Sequence, residues 1–473
     1  MLTNLKYSLR LFAMGWILAR HGALFGLEAL NVSATLLWFL RRVARPHKGK
    51  RRGERLASAL TALGPTFIKA GQALSTRADL IGEDIARDLT QLQDNVPPFS
   101  SKLARAIVEE QLDAPIETHF AQFDEDPIAA ASIAQVHFAV TQDGRDVAVK
   151  ILRPNVERAF QRDIDVMFWI ARIVERRLPQ YRRLKPVKVV ETFAETIRIE
   201  LDLRFEAAAG EELRLNTKND ADFYVPTVDW ELTRRRVLVT ERLRGISAGD
   251  VEGLKAAGLD LNKIMESAAK SFFNQVFRDG FFHADMHPGN LFVLPDGRLA
   301  PVDFGLMGRI DHENQLLLAQ ILWAFYRGDF SKVAQLHHDA GWIPEHVSVE
   351  AFAQACRAVG APLMGKAMNE ISAGRLLGQL IGIAQMFEME AQPHLLLLQK
   401  TMMTAEGVGR SLNPNINMWE LTEPLIREWA KANLGPRAQA KAAFKELREL
   451  IHEAPRMLRQ LKELLERELE KRA

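Results

Sequence analysis

The sequence predicts an α+β chain, mostly helical, in which a small sheet-bearing segment precedes a larger helical one. Three observations carry this. Residues 135–140 and 146–152 are short β-rich runs joined through Asp143-Gly144, the composition of a hairpin loop. Apolar residues recur at helical spacing on both sides of those runs. A second hairpin, 291–294 and 299–302 about Pro295-Asp296-Gly297, interrupts the long helical part. With 473 residues, 47% hydrophobic and 26% charged, the chain has material for two or three cores and is neither disordered nor fibrous. A single cysteine, Cys356, excludes an intramolecular disulfide and a thiolate metal cluster. The formal net charge of +2 gives no footprint for nucleic acid, so a basic partner surface has to be local.

In chain order, residues 1–55 read as a membrane-associating N-terminus. Apolar residues 23–40 are interrupted by Glu28, Asn31 and Ser33, and the basic run 41–52 follows at once. The stretch is slightly short for a span, which needs about 20 apolar residues. The expectation is a helix lying on the membrane, its Arg/Lys block against anionic headgroups. Residues 56–125 form a helical extension with Leu56, Leu60, Leu63, Phe67 and Ile68 at helical spacing. Residues 126–243 hold the strands, helical pattern from 156 to 215, and a further strand at 236–242. Residues 244–435 are helical apart from the hairpin, and 436–473 form a charged helical stretch in which Pro455 makes a break.

Chemistry concentrates at three places. In the strand Asp-Val-Ala-Val-Lys-Ile-Leu, alternation sends Val147, Val149 and Ile151 to one face and Lys150 to the other. A lysine in an apolar strand is costly unless paired or holding an anion. Downstream, His283-Ala284-Asp285-Met286-His287-Pro288-Gly289-Asn290 sets an Asp and an Asn five positions apart, and Asp303-Phe304-Gly305 follows. This is the layout of a kinase catalytic loop and metal motif, and it predicts a two-lobed protein-kinase-like fold. Asp285 is placed to position or deprotonate a phosphate acceptor, and Asn290 and Asp303 offer hard oxygens to Mg²⁺. The intervening hairpin returns the chain so that Asn290 and Asp303 lie side by side. Lys150 then meets the α- and β-phosphates of ATP or ADP, oriented by a helix glutamate; Glu200 and Glu206 compete for that pairing and periodicity does not choose. Residues 237–243 have the look of the linker between lobes, where backbone groups of Glu241 and Leu243 would bind adenine.

Where ordinary kinases carry a glycine-rich phosphate loop, this chain has Ile128, Ala129, Ala130, Ala131, Ser132, Ile133, Ala134, Gln135 and Val136. With Lys69-Ala70-Gly71-Gln72, Glu200-Leu201-Asp202 before Glu206, and 412–417 near the C-terminus, the chain resembles the UbiB family of atypical kinase-like proteins, which includes the mitochondrial ADCK members, over about residues 56–418. The resemblance implies Lys150 as the phosphate-binding lysine and Glu206 as its ion-pair partner. It implies Asp285, Asn290 and Asp303 as the catalytic and metal residues. It also implies a family-specific helical N-terminal extension folded over the site through Lys69 and Gln72, facing Glu200 and Asp202. Such an extension obstructs a protein substrate, so an atypical kinase or ATPase is expected. Its association is with ubiquinone biosynthesis at the cytoplasmic face of the bacterial inner membrane. The partners implied are anionic lipids, isoprenoid quinone precursors and biosynthesis proteins. Bacterial relatives commonly end in a hydrophobic pair of helices, whereas residues 463–472 here are charged: either this member lacks the pair or the sequence is a truncated one, and the expectation of peripheral attachment rests on the N-terminus.

Two other classes share some of these features. A small-molecule phosphotransferase has the same Asp-to-Asn loop but is not expected to carry Lys-x-Gly-Gln with Glu-x-Asp. A nucleotide-gated scaffold binding isoprenoid intermediates would need no turnover, against which the intact Lys150, Asp285, Asn290 and Asp303 argue. Direct hydroxylation is disfavoured, since neither a di-iron Glu/His motif nor a Gly-x-Gly-x-x-Gly fingerprint occurs.

Overall fold

The structure is a computed structural model that describes residues 2–24, 51–75, 81–89, 97–177, 185–363 and 393–412, with isolated positions between and just beyond these stretches. The expectations for 25–41, 43–50, 413–418 and 436–473 lie outside the described residues. Two compact units result: residues 1–258 with 283–307 and 395–404, and residues 259–282 with 308–394 and 405–473.

The first unit is built on one antiparallel sheet. Strands β1 (Phe120–Phe123), β3 (Ala134–Thr141), β4 (Asp146–Leu152) and β5 (Val237–Glu241) lie in that order, and β2 (Ala129–Ala130) pairs with β3. The sheet therefore starts before residue 126: Phe120–Phe123 is four residues long with two exposed, too short to announce itself by alternation. Central strand β4 is lined on one face by Val147, Val149 and Ile151. These residues pack with Ile107 and Val108 of the helix Ser101–Leu112. On the other face Leu152 packs with Phe160, Ile197, Leu203 and Ala207, so the apolar pattern separates two cores at this strand.

Helical residues 156–215 form three helices, Val156–Arg177, Pro186–Glu200 and Leu203–Asn216. The last break is sharp because Asp202, in an extended conformation (φ −128°), caps the following helix by accepting from Arg204 N–H. The helix Arg52–Leu63 crosses the 55/56 boundary, so the extension starts at least at Arg52. It packs with Pro65–Ser75 and with Leu2–Arg20 in a core of Met14, Leu60, Leu63, Phe67, Leu89 and Val166. Buried Asp163 ties three helices together: Arg10 reaches it at 2.9 and 3.1 Å and Thr66 Oγ1 donates at 3.1 Å. Strands β7 (Leu291–Val293) and β8 (Leu299–Pro301) form the expected hairpin, with Gly297 at φ +86° in its turn and β6 (Ile246–Ser247) beside β7.

The second unit is helical. Its helices Leu261–Asn274, His312–Tyr326, Phe330–Asp339 and Val349–Gly360 each start at an Asp or Ser whose side chain accepts a backbone N–H of the first turn. Ala334, Ile343, Phe352 and Ala353 form a core there.

Candidate active site

Central strand β4 carries Lys150 opposite Val136 and Leu238, on the face away from Val149. Its Nζ lies 2.6 Å from Glu206 Oε1 and 3.3 Å from Asp303 Oδ2. Of the two competing glutamates, Glu206 therefore holds the lysine, while Glu200 sits 3.0 Å from Lys69. Burial favours a neutral amine, but Asp303 and Glu206 more than offset it and push Lys150 well above the ordinary lysine range. Burial also raises Glu206, up to about 7, against the pull of Lys150. Burial pushes Asp303 the same way, yet Lys150, the Gly305 N–H and Lys69 hold its carboxyl far below the usual carboxylate range. Two carboxylates share one buried cation, and the more exposed Asp303 keeps the charge.

The loop between Phe282 and Leu291 is held by His283. Asp285 N–H donates to its Nδ1 at 3.1 Å, so Nε2 carries the proton and meets the Asp303 carbonyl. Burial keeps the ring below the ordinary imidazole pKa and hence neutral, as this pattern requires. Val302 N–H donates to Asn290 O at 3.0 Å, which sets Asn290 and Asp303 side by side across the hairpin ends. Asn290 Nδ2 donates to Asp285 O at 3.3 Å, leaving the amide oxygen uncommitted by that bond. Gly210 lets the helix Leu203–Asn216 approach Phe304, since a Cβ there would lie 2.8 Å from the ring.

Ala129 and Ala130 pair with Val136 and Gln135, with Ile128 N–H donating to Val136 O at 2.9 Å, so the alanine loop is a tight hairpin. Ala131 N–H donates to Ala134 O at 2.8 Å, while Arg153 binds Ala131 O through its side chain and Ile133 O through its backbone. Gln135 exchanges two bonds with the Phe99 backbone at 3.0 and 3.3 Å, and Arg153 also reaches Pro97 O. The segment leaving the extension is thus strapped to the loop. Within the extension, Gly71 packs where a Cβ would meet Leu92 and Leu60 at 2.4 and 2.7 Å. Gln72 donates to Leu92 O at 3.3 Å.

One expectation is corrected here. Asp202 is engaged by Arg204 at 2.6 and 2.8 Å, and that contact lowers its pKa, so of the acidic pair it is Glu200 that meets Lys69. Glu241 N–H is committed to Thr227 O at 2.9 Å, and its carboxylate accepts from Tyr224 Oη and Thr227. Leu243 is the next position whose backbone makes no hydrogen bond among the described residues, and it alone of the two keeps a free N–H for a base edge. Sequence reasoning missed Arg153, His283 and Lys400. His283 lay inside a recognised motif but looked like spacing. Lys400 Nζ is 3.1 Å from Asp285 Oδ1 across 115 positions of sequence, a separation no local pattern bridges.

These residues fit a Mg²⁺-nucleotide. An ionised Asp303 beside an amide oxygen supplies the hard donors that Mg²⁺ takes together with phosphate oxygens. Lys150 offers N–H groups to phosphate. At the alanine hairpin, the Ser132 hydroxyl is fully buried and unbonded, an orphan polar atom.

Residues 91–337 match the ABC1 atypical kinase-like domain and residues 356–417 the UbiB helical domain. A probable protein kinase UbiB of Marinobacter nauticus is 41% identical over 455 residues, covering 95% of this chain and 83% of that protein. The like-named protein of Pseudomonas aeruginosa PAO1 is 43% identical over 440 residues, covering 92% and 81%. That of Vibrio cholerae M66-2 is 45% identical over 397 residues, covering 83% and 73%. Among solved structures, the complex of Rv3197 with erythromycin from Mycobacterium tuberculosis aligns with a TM-score of 0.56 at 25% identity, covering 78% of this chain and 94% of that one. The kinase-like α+β fold is shared with that solved structure, and the family match agrees with it.

Proposed function

Because the chain belongs to the UbiB family of ABC1 atypical kinase-like proteins, we propose that it binds a Mg²⁺-nucleotide at Lys150, Glu206 and Asp303 and turns over ATP in support of ubiquinone biosynthesis at an anionic membrane surface. The observation that carries this is Lys150 held at 2.6 Å by Glu206 and at 3.3 Å by Asp303. With Asp303 holding a metal, a buried cation so paired would be free to exchange that carboxylate for phosphate. When bound, Mg²⁺-ATP supplies an activated phosphoryl group. Asp285 orients the acceptor, hydroxyl or water, and takes its proton. Asn290 and Asp303 hold the metal, Leu243 receives the base, and the alanine hairpin covers the phosphates. Lys69, paired to Glu200 and contributing to the field on Asp303, ties the extension to this centre. That closure disfavours a protein acceptor and supports a small-molecule or water acceptor, with isoprenoid quinone precursors as the class to test.

Membrane contact is supported by the apolar residues 23–40, the basic run 41–52 and the outer face of the first helix, where Phe12 (51% exposed) and Trp16 (36%) stand one turn apart. Among the described residues no helix is long and apolar enough to cross a membrane. Peripheral attachment at the cytoplasmic face of the inner membrane, beside other biosynthesis proteins, is the corresponding proposal. The test is ATP hydrolysis with no liposomes, neutral liposomes and anionic liposomes carrying a phenolic isoprenoid. Turnover should rise on the anionic surface and fall back with salt as charges are screened. Tight nucleotide binding without hydrolysis in every condition would overturn the enzymatic reading in favour of a scaffold.

A further inference from the structure

Between His283 and Asn290 the catalytic loop carries no lysine or arginine, and Ala284, fully buried, occupies the position that holds arginine in the kinase loop pattern. Yet Asp285 is not without a cation. Lys400, on the helix Pro393–Leu412, places Nζ 3.1 Å from Asp285 Oδ1, and the side chain keeps 26% exposure. No further hydrogen bond to its ammonium is found among the described residues, which leaves donors for another anion. His287, the other basic group at hand, is 3.8 Å from Oδ2, beyond hydrogen-bond range. Lys400 lies in the stretch that matches the UbiB helical domain, outside the kinase-like match at 91–337.

We propose that Lys400 is a catalytic residue contributed by the helical domain, contacting the γ-phosphoryl group during transfer. The inference rests on the reading of Asp285 as the acceptor-orienting carboxylate. A group that touches the acceptor oxygen lies beside the phosphoryl being transferred, and a cation 3.1 Å from that carboxylate is within a side-chain rotation of it. In the transfer the bond between the γ-phosphorus and the β,γ-bridging oxygen breaks and a bond to the acceptor oxygen forms, while Asp285 takes the acceptor proton. Lys400 changes no bond; it supplies positive charge where negative charge spreads over the equatorial oxygens. Without nucleotide its ammonium rests on Asp285. Lys150 attends the α- and β-phosphates, so the two lysines divide the triphosphate between them.

The test compares the intact chain with Lys400→Gln and Lys400→Arg, whose helix propensities are close to that of lysine. Three quantities are read: Mg²⁺-ADP affinity, affinity for Mg²⁺-ADP with aluminium fluoride as a planar phosphoryl mimic, and the kcat and KM of ATP hydrolysis. Lys400→Gln should leave ADP affinity within about twofold while weakening the fluoride complex at least tenfold and lowering kcat on the order of 10²-fold, the scale for losing one preorganised transition-state donor. Lys400→Arg should recover part of both losses, because the charge returns with a different reach. Unchanged kcat and unchanged fluoride affinity in Lys400→Gln would overturn the assignment, and so would faster turnover, which would make Lys400 a brake on Asp285. Equal loss of ADP binding would assign it a structural role and also overturn it. Failure of the unaltered protein to bind Mg²⁺-nucleotide is a separate result, and would remove the underlying reading instead.

Discussion

At Glu206 a buried carboxylate faces a lysine that a second carboxylate also claims. Its raised pKa gives a pH dependence whose sign can be worked out. In the folded protein Glu206 titrates near 7, above the roughly 4.3 of an unfolded glutamate. The associated stabilisation is therefore full below about pH 4.3 and is lost as pH rises through about 7. If Asp303 holds a metal as proposed, its carboxylate would leave the lysine, Lys150 would remain with Glu206 and the glutamate's pKa would fall. Binding would then release a proton, and Mg²⁺-nucleotide affinity should climb with pH up to about 7. Calorimetric titration in buffers of different ionisation enthalpy measures the release. Glu206→Gln should abolish it, and a proton count near zero in the unaltered protein at pH 6.5 would contradict this account of the triad. Truncating the pair is a different matter: Glu206→Ala leaves Lys150 buried with a weaker partner, at a cost of about 3–5 kcal/mol.

Among the elements, the helix Leu203–Asn216 is the one on which the site depends twice, through Glu206 and through the space Gly210 leaves for Phe304. Gly210→Ala puts a methyl 2.8 Å from that ring, and the expected loss is about 1–3 kcal/mol of stability together with weaker metal binding, read as Tm and Mg²⁺-ATP affinity on the same sample. The alanine hairpin makes the opposite bargain. A methyl at each position limits how closely the backbone meets phosphate, so Ala131→Gly should shift the balance of ATP over ADP affinity; identical titrations in both proteins would remove the loop from nucleotide choice. Strands β3, β4 and the β7–β8 hairpin were legible in the sequence because alternation and turn residues agree there. Strand β1 was not, being too short for its period to register. The choice between Glu200 and Glu206 was also closed to periodicity, because both precede or follow a helix break set by a single cap, Asp202. That same cap removed Asp202 from the pairing with the extension, a consequence of side-chain geometry with no trace in spacing.

At the scale of the molecule, the extension is anchored as firmly as it is placed. Asp163, 3% exposed, binds Arg10 and Thr66, and the first helix contributes Met14 to a shared core. Removing residues 1–55 would therefore strip a packed helix along with the basic run, and neutralising Arg and Lys within 41–50 is the cleaner test of lipid attraction, since each basic residue near an anionic surface contributes about 1 kcal/mol. Asp163→Ala should release the extension at a cost of about 3–5 kcal/mol, seen as early hydrogen exchange in the helices Leu2–Arg20 and Pro65–Ser75 while β4 stays protected. Sequence motifs located the chemistry from Lys150 to Asp303, but the contact of Lys400 with Asp285 joins segments 115 residues apart and only the folded chain brings it out. The measurement that bears most directly on the whole account is titration of Mg²⁺-ATP into the intact protein and into Asp303→Asn, with and without the metal. An amide cannot match the carboxylate's charge toward Mg²⁺, so the variant should lose most metal-dependent affinity while metal-free binding persists through Lys150. Equal Mg²⁺-ATP affinity in the two proteins would contradict it.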